Sequence, residues 1–187
     1  MRYNYNKNEI DLLLNNMIIL VDTREKKNQH ITSVWDKQGI KYKSMKLDQA
    51  DYSVMIESNE ETAALGVTRD LYFDDVILIE TKRNLDEIAG NLINREESKN
   101  RERLEREFLR VNKIGAKLFL IVENEQGMSD LVAGNYRSQY NSKAFIRSLL
   151  QYQARYNLHL EFVNPNLTAF IIYNKILCHV REHLRGR

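Results

Sequence analysis

The chain is poor in several residue types, and each scarcity removes a class of protein. Its 187 residues include one cysteine, one proline, one tryptophan and seven glycines. The single cysteine, Cys178, excludes an internal disulfide framework and fits a reducing cytosol. No Cys/His spacing suits a structural zinc site. One proline and no Gly/Ser-rich linker give no sign of a domain boundary, so a single domain over 1–187 is expected. No apolar run approaches the ~18 residues a membrane helix needs. Met1–Lys7 is polar and lacks the apolar stretch of a secretory signal, so a cytoplasmic location and no membrane partner are expected. The chain also lacks a strong charge of one sign. Its formal net charge of +2 neither announces nor excludes a polyanionic partner, so any electrostatic argument must be local.

Hydrophobic periodicity gives a mixed α/β order without internal repeats. Met17–Val21 is a short apolar run read as a buried strand ending at Asp22. A helix over Ile31–Gln38 is closed by Gly39, and strands follow at Tyr42–Lys46 and Tyr52–Ile56. Glu57–Thr68 is polar and reads as a loop or hairpin. Asp75–Thr81, with Val76-Ile77-Leu78-Ile79, is the best central strand. Asn84 can cap a helix to about Ile93, with Glu87 three residues on as its capping-box partner. Glu96–Asn112 is a charged helix with a thin apolar stripe at Leu104, Phe108 and Val111. Lys117–Glu123 is a strand, Ser142–Tyr156 an amphipathic helix burying Phe145, Leu149, Tyr152 and Tyr156, and Leu158–Val163 a strand. Asn164-Pro165 opens the last helix, to about Leu184. That helix has two apolar faces, Leu167/Phe170/Ile171 and Ile172/Ile176/Val180; if one covers the sheet, the other can meet a second copy, and a homodimer is expected.

Chemistry concentrates at strand ends. Glu80 and Lys82 are two apart, so both point to one face of the central strand, where a carboxylate and an ammonium need a partner or a cation. Asp86 falls in the first turn of the next helix, whose N-terminus favours negative charge, including a phosphate. Asp51 opens the strand Tyr52–Ile56, and if that strand pairs with the central one Asp51 can approach Glu80. Two carboxylates and a lysine can bind a divalent ion, best Mg²⁺ (or Mn²⁺), and steer a water. Glu-x-Lys taken alone is also a common cross-sheet salt bridge.

Val21-Asp22-Thr23-Arg24-Glu25, then Asp51-Tyr52, then Glu80-Thr81-Lys82 with Asp86 four residues on, resembles the nuclease domain of the XPF-type structure-selective endonucleases. Arg95 with Arg103-Leu104 looks like that family's next helix region, and Leu118–Glu123 like the strand after it. The resemblance covers roughly Met17 to Leu184 with the motifs in order. It implies an α/β, restriction-endonuclease-like fold, a central mixed sheet flanked by helices. It also implies metal-dependent hydrolysis of DNA, at branched or forked structures, in repair, recombination or replication. By resemblance Asp51, Glu80 and Asp22 are metal ligands and Lys82 is the catalytic lysine. Glu25 and Asp86 are further active-site acids, Arg24 has a phosphate-binding or structural role, and Arg95 matches a motif arginine that contacts DNA. Arg83, in the basic series near the proposed centre, is a further candidate for DNA contact. Thr81 stands where the family has arginine, and Ala50 and Asn94 replace glycines. No tandem helix-hairpin-helix or helicase segment is present, which implies a stand-alone form such as a bacterial or phage enzyme.

Other readings of the same fold are a sequence-specific or nonspecific duplex nuclease and a non-catalytic DNA-binding or dimerisation module. Lys99, Arg101, Arg103 and Arg106 are a basic series interleaved with acids, either a DNA contact or a solvated, salt-bridged helix face. Gly127–Tyr140, with Tyr136, Arg137 and Tyr140, is either a loop that stacks on DNA or an ordinary surface loop. His179 and His183 lack a third metal ligand and read as surface residues, and Cys178 reads as a buried small apolar residue.

Overall fold

The computed structural model describes residues 4–92 and 99–186, with backbone only for 99–101. Within them the chain forms two compact units, 1–77 with 169–187, and 78–168.

The first unit opens with a helix absent from the periodicity reading, α1 (Lys7–Asn15). Asn6 starts it: its side chain accepts the Glu9 N–H, and the Glu9 carboxylate accepts the Asn6 N–H. Strand β1 (Met17–Asp22), α2 (Gln29–Gln38), β2 (Tyr42–Met45) and β3 (Tyr52–Ile56) follow. α2 stops where Gly39 takes a left-handed conformation. β1 pairs parallel with β2 and antiparallel with β3. Glu57–Thr68 differs from the loop or hairpin expected there. It holds a short helix, α3 (Glu60–Ala64), nucleated by reciprocal Asn59–Thr62 bonds that a scan for apolar periodicity does not see. The two-residue β4 (Leu71–Tyr72) then adds antiparallel to β3.

Strand β5 (Ile77–Lys82) leads into the second unit, with α4 (Leu85–Leu92), α5 (Lys99–Ile114), β6 (Lys117–Glu123), α6 (Met128–Ala133), α7 (Ser142–Tyr156) and β7 (His159–Val163). β6 and β7 are parallel. The expected stripe of α5 is buried, and Phe108 packs edge-on against Tyr152 of α7. Phe145, Leu149, Tyr152 and Tyr156 are buried as their spacing requires.

After a 3₁₀ turn at Pro165–Leu167, α8 (Thr168–Leu184) returns to the first unit. There Trp35 Nε1 donates to the Ala169 carbonyl and Arg181 pairs with Asp11. Ile172, Ile176 and Val180 are buried, whereas Phe170 is 55 % exposed. Cys178 is exposed, which corrects the buried, apolar reading: its place in the helix, not its polarity, sets its environment. His183 lays its ring edge on Phe73. The expected α/β architecture, mixed strand pairing flanked by helices, is present. Among the described residues no helix is long and apolar enough to cross a membrane.

Candidate active site

The sequence-derived residues fall into two sets, one in each unit. In the first unit, antiparallel pairing of β1 with β3 sets Val21 opposite Tyr52, and Asp22 N–H donates to the Asp51 carbonyl at 2.8 Å. Asp22 and Asp51 therefore stand side by side at one end of two neighbouring strands. Ala50, just before, has φ +62°, left-handed backbone that suits glycine. The glycine of the resembled motif thus has a physical reason, and this chain meets the same bend with a strained alanine.

Asp22 is 2 % exposed, and both its oxygens are engaged. Oδ1 accepts Arg24 N–H and Arg24 Nε, each at 2.7 Å; Oδ2 accepts Arg24 Nη2 at 3.0 Å and Leu47 N–H at 2.7 Å. Burial pushes this carboxyl up, but the bonds from Arg24 and Leu47 outweigh it and hold its pKa below the ordinary value. The arrangement fixes the turn after β1 and braces the Arg24 guanidinium, which also donates to the Leu47 carbonyl. The Glu25 carboxylate accepts the Lys27 N–H.

In the second unit β5 delivers Glu80 and Lys82 to one face, both buried, with the ammonium hydrogen-bonded to Glu80 Oε1. Lys82 Nζ also lies 3.9 Å from Glu87. Asn84 accepts the Glu87 N–H, as expected of the cap, and the Glu87 carboxylate accepts the Arg83 N–H. Glu80, Lys82 and Glu87 line a cavity of about 190 Å³ together with Asn91, Arg103, Leu104 and Glu107. Burial raises the Glu80 carboxyl pKa above its ordinary value; Lys82 pulls it down, and Glu107 and Glu87 push it further up.

Asp86 lies beside this set, with Oδ1 accepting Arg137 N–H and Ser138 N–H, both at 2.8 Å. It thereby pins the segment after α6 to the start of α4. Part of Gly127–Tyr140 is helical, and the rings of Tyr136 and Tyr140 pack on Phe145. Those two rings serve the interior of the unit, which favours the structural reading of this segment over a stacking platform. Arg83 is exposed; Arg95 lies outside the described residues.

Sequence reasoning missed Asn91 and Glu107 as lining residues. The signal was available: Glu87 and Asn91 on α4, and Arg103 and Glu107 on α5, are polar pairs one turn apart.

Among the described residues no three or more His, Cys, Asp or Glu side chains form a cage for a metal. The cavity nonetheless offers carboxylate and amide oxygens without sulfur or imidazole. That donor chemistry fits a hard divalent ion, which takes one or two carboxylates and keeps waters.

An ERCC4 domain model matches residues 21–175. No curated protein matches the chain. A solved structure of XPF from Aeropyrum pernix is similar at TM-score 0.57 and 22% identity, covering 88% of this chain and 69% of that one. A structure described as XPF from Aeropyrum pernix in complex with DNA is similar at TM-score 0.55 and 20% identity, covering 86% and 63%. At these identities the likeness concerns the fold.

Proposed function

Because the chain belongs to the ERCC4 domain family, a family of DNA endonucleases, we propose that it hydrolyses DNA phosphodiester bonds with a divalent metal, Mg²⁺ or Mn²⁺, at branched or forked structures. The observation that carries this reading is the buried Glu80–Lys82 pair opening onto a cavity lined by carboxylates. Desolvation can cost such a buried pair more than its attraction returns, so it is weak evidence of a purely stabilising role. The similarity to a fold solved with DNA supports a DNA substrate.

In this reading the chain acts as one nuclease domain. Asp51 and Glu80 would hold the metal, with Asp22, beside Asp51, as a further acid of the motif. A divalent ion bound there would lower the pKa of a coordinated water and neutralise charge on the scissile phosphate. Lys82, held by Glu80, orients the attacking water and counters negative charge developing on phosphorus oxygens. Water attacks phosphorus directly, without a covalent intermediate on the protein. Arg24, fixed by Asp22, and the exposed Arg83 are proposed to meet phosphates. Arg95 is proposed for the same role from the motif. Glu25 and Asp86 act one step removed, by shaping the turn after β1 and the start of α4.

We assign the chain to DNA repair, recombination or replication in the cytoplasm. The exposed Phe170, on the side of α8 away from its buried residues, supports a homodimer through that helix. A panel of labelled forks, flaps, four-way junctions and linear duplexes, incubated with Mg²⁺ and with Mn²⁺, tests the reading. Branched substrates should be cut, and Asp51→Ala and Glu80→Ala should lose the activity. Full activity in both variants rejects the assignment, and equal cutting of linear duplex replaces structure selectivity with a duplex nuclease.

A further inference from the structure

The Asn91 side chain belongs to no motif, yet it lines the same cavity as Glu80 and Lys82. Its carboxamide oxygen is buried and finds no hydrogen-bond partner among the described residues. A buried acceptor left so is costly, so it calls for a donor or a cation in the finished site. Its surroundings choose between them by charge. Glu80, Glu87 and Glu107 line the cavity against Lys82 and Arg103, and the ammonium of Lys82 is already bonded to Glu80. Carboxylates in excess of cations around an amide oxygen attract a positive group and repel an anion.

Resting on the nuclease reading above, we propose that Asn91 Oδ1 and the Glu107 carboxylate are further oxygen ligands of the divalent cation, supplied by α4 and α5 to complement Glu80. Two consecutive helices thus add to the strand-borne motif at the same cavity. An ion of the Mg²⁺ or Mn²⁺ class fits, because it accepts neutral amide oxygens beside carboxylates and fills its remaining positions with water.

Calorimetric titration of Mn²⁺ into the full chain, with thermal unfolding of the metal-free protein alongside, tests this. Asn91→Ala and Glu107→Gln should each weaken Mn²⁺ binding roughly tenfold. Metal-free Asn91→Ala should melt no lower than the parent, since the substitution removes a buried acceptor without a partner. Asn91→Asp, nearly the same shape, should bind Mn²⁺ more tightly than the parent and keeps the test valid if the alanine variant folds poorly. Unchanged Mn²⁺ affinity in either Asn91→Asp or Glu107→Gln overturns the inference, as does a lowered melting temperature of Asn91→Ala with affinity intact. If the parent binds Mn²⁺ and cuts DNA, and Glu80→Ala abolishes both while these variants match the parent, the inference alone fails. If the parent neither binds Mn²⁺ nor cuts, the nuclease reading fails and takes the inference with it.

Discussion

Asp22 and Glu80 are both buried carboxylates near the end of a buried strand, yet their surroundings differ in kind. Asp22 receives four N–H donors, three of them from Arg24, and its pKa is lowered. Glu80 faces one ammonium and two neighbouring carboxylates, and its pKa is raised. A carboxylate saturated by fixed donors stabilises the fold at neutral pH. One that faces a single ammonium among other carboxylates is less stabilised as an anion than one saturated by fixed donors. The first carboxylate is met by four fixed donors and the second by one ammonium, although the sequence writes both as an acid after an apolar run.

The largest expected effect breaks the comparison on the Glu80 side. Glu80→Gln should lower the cleavage rate by more than about 10²-fold, while the metal-free protein unfolds at the same temperature or higher. A large loss of stability would show that Glu80 is structural after all.

Asp22→Ala should behave oppositely, lowering unfolding free energy by roughly 2–3 kcal/mol in urea, because it strands the Leu47 N–H and unties Arg24. A change within error would mean that its four bonds are replaced by water.

The pH dependence sharpens the same contrast. Asp22 has a folded pKa below its ordinary 3.8, so its contribution is present above that value and is lost as pH falls through the folded pKa. Glu80 has a folded pKa above its ordinary 4.5. Between those two values the folded state binds more protons than the unfolded one, so stability falls as pH rises. Thermal unfolding of the metal-free protein from acid to neutral pH should show that fall, and Glu80→Gln should remove it.

The smallest expected effect concerns the turn before Asp51. Ala50→Gly relieves left-handed strain of about 1–2 kcal/mol and loses some of it to a more flexible unfolded chain, for a net gain of roughly 0.5–1 kcal/mol. A melting temperature that drops would show that the Ala50 methyl packs better than the bend is strained.

The legible elements were those where burial follows apolar periodicity. The stripe Leu104/Phe108/Val111 and the face Phe145/Leu149/Tyr152/Tyr156 are buried as spacing demands. The Asn84–Glu87 cap was legible because it is a local bond between residues three apart. α1, α3 and α6 were not legible, since α1 and α3 are started by Asn side chains and none shows a long apolar pattern. For the proposed site, residue types and order pointed to Glu80, Lys82, Asp51 and Asp22, because acids and a lysine at strand ends need an explanation. The work of Asp86, bonded to backbone groups some fifty residues away, was not readable from its place in a motif.

By itself the sequence determined the α/β alternation, the strand ends that carry acids, and the ordered motif that identifies the family. Those depend on local spacing and on which residue types recur. Tertiary structure alone decided which carboxylates are saturated by fixed donors and which face other carboxylates, and it brought Asn91 and Glu107 to the cavity of Glu80. The electrostatic character of a buried acid is set by neighbours that reach it through space, and their distance along the chain carries no record of that approach.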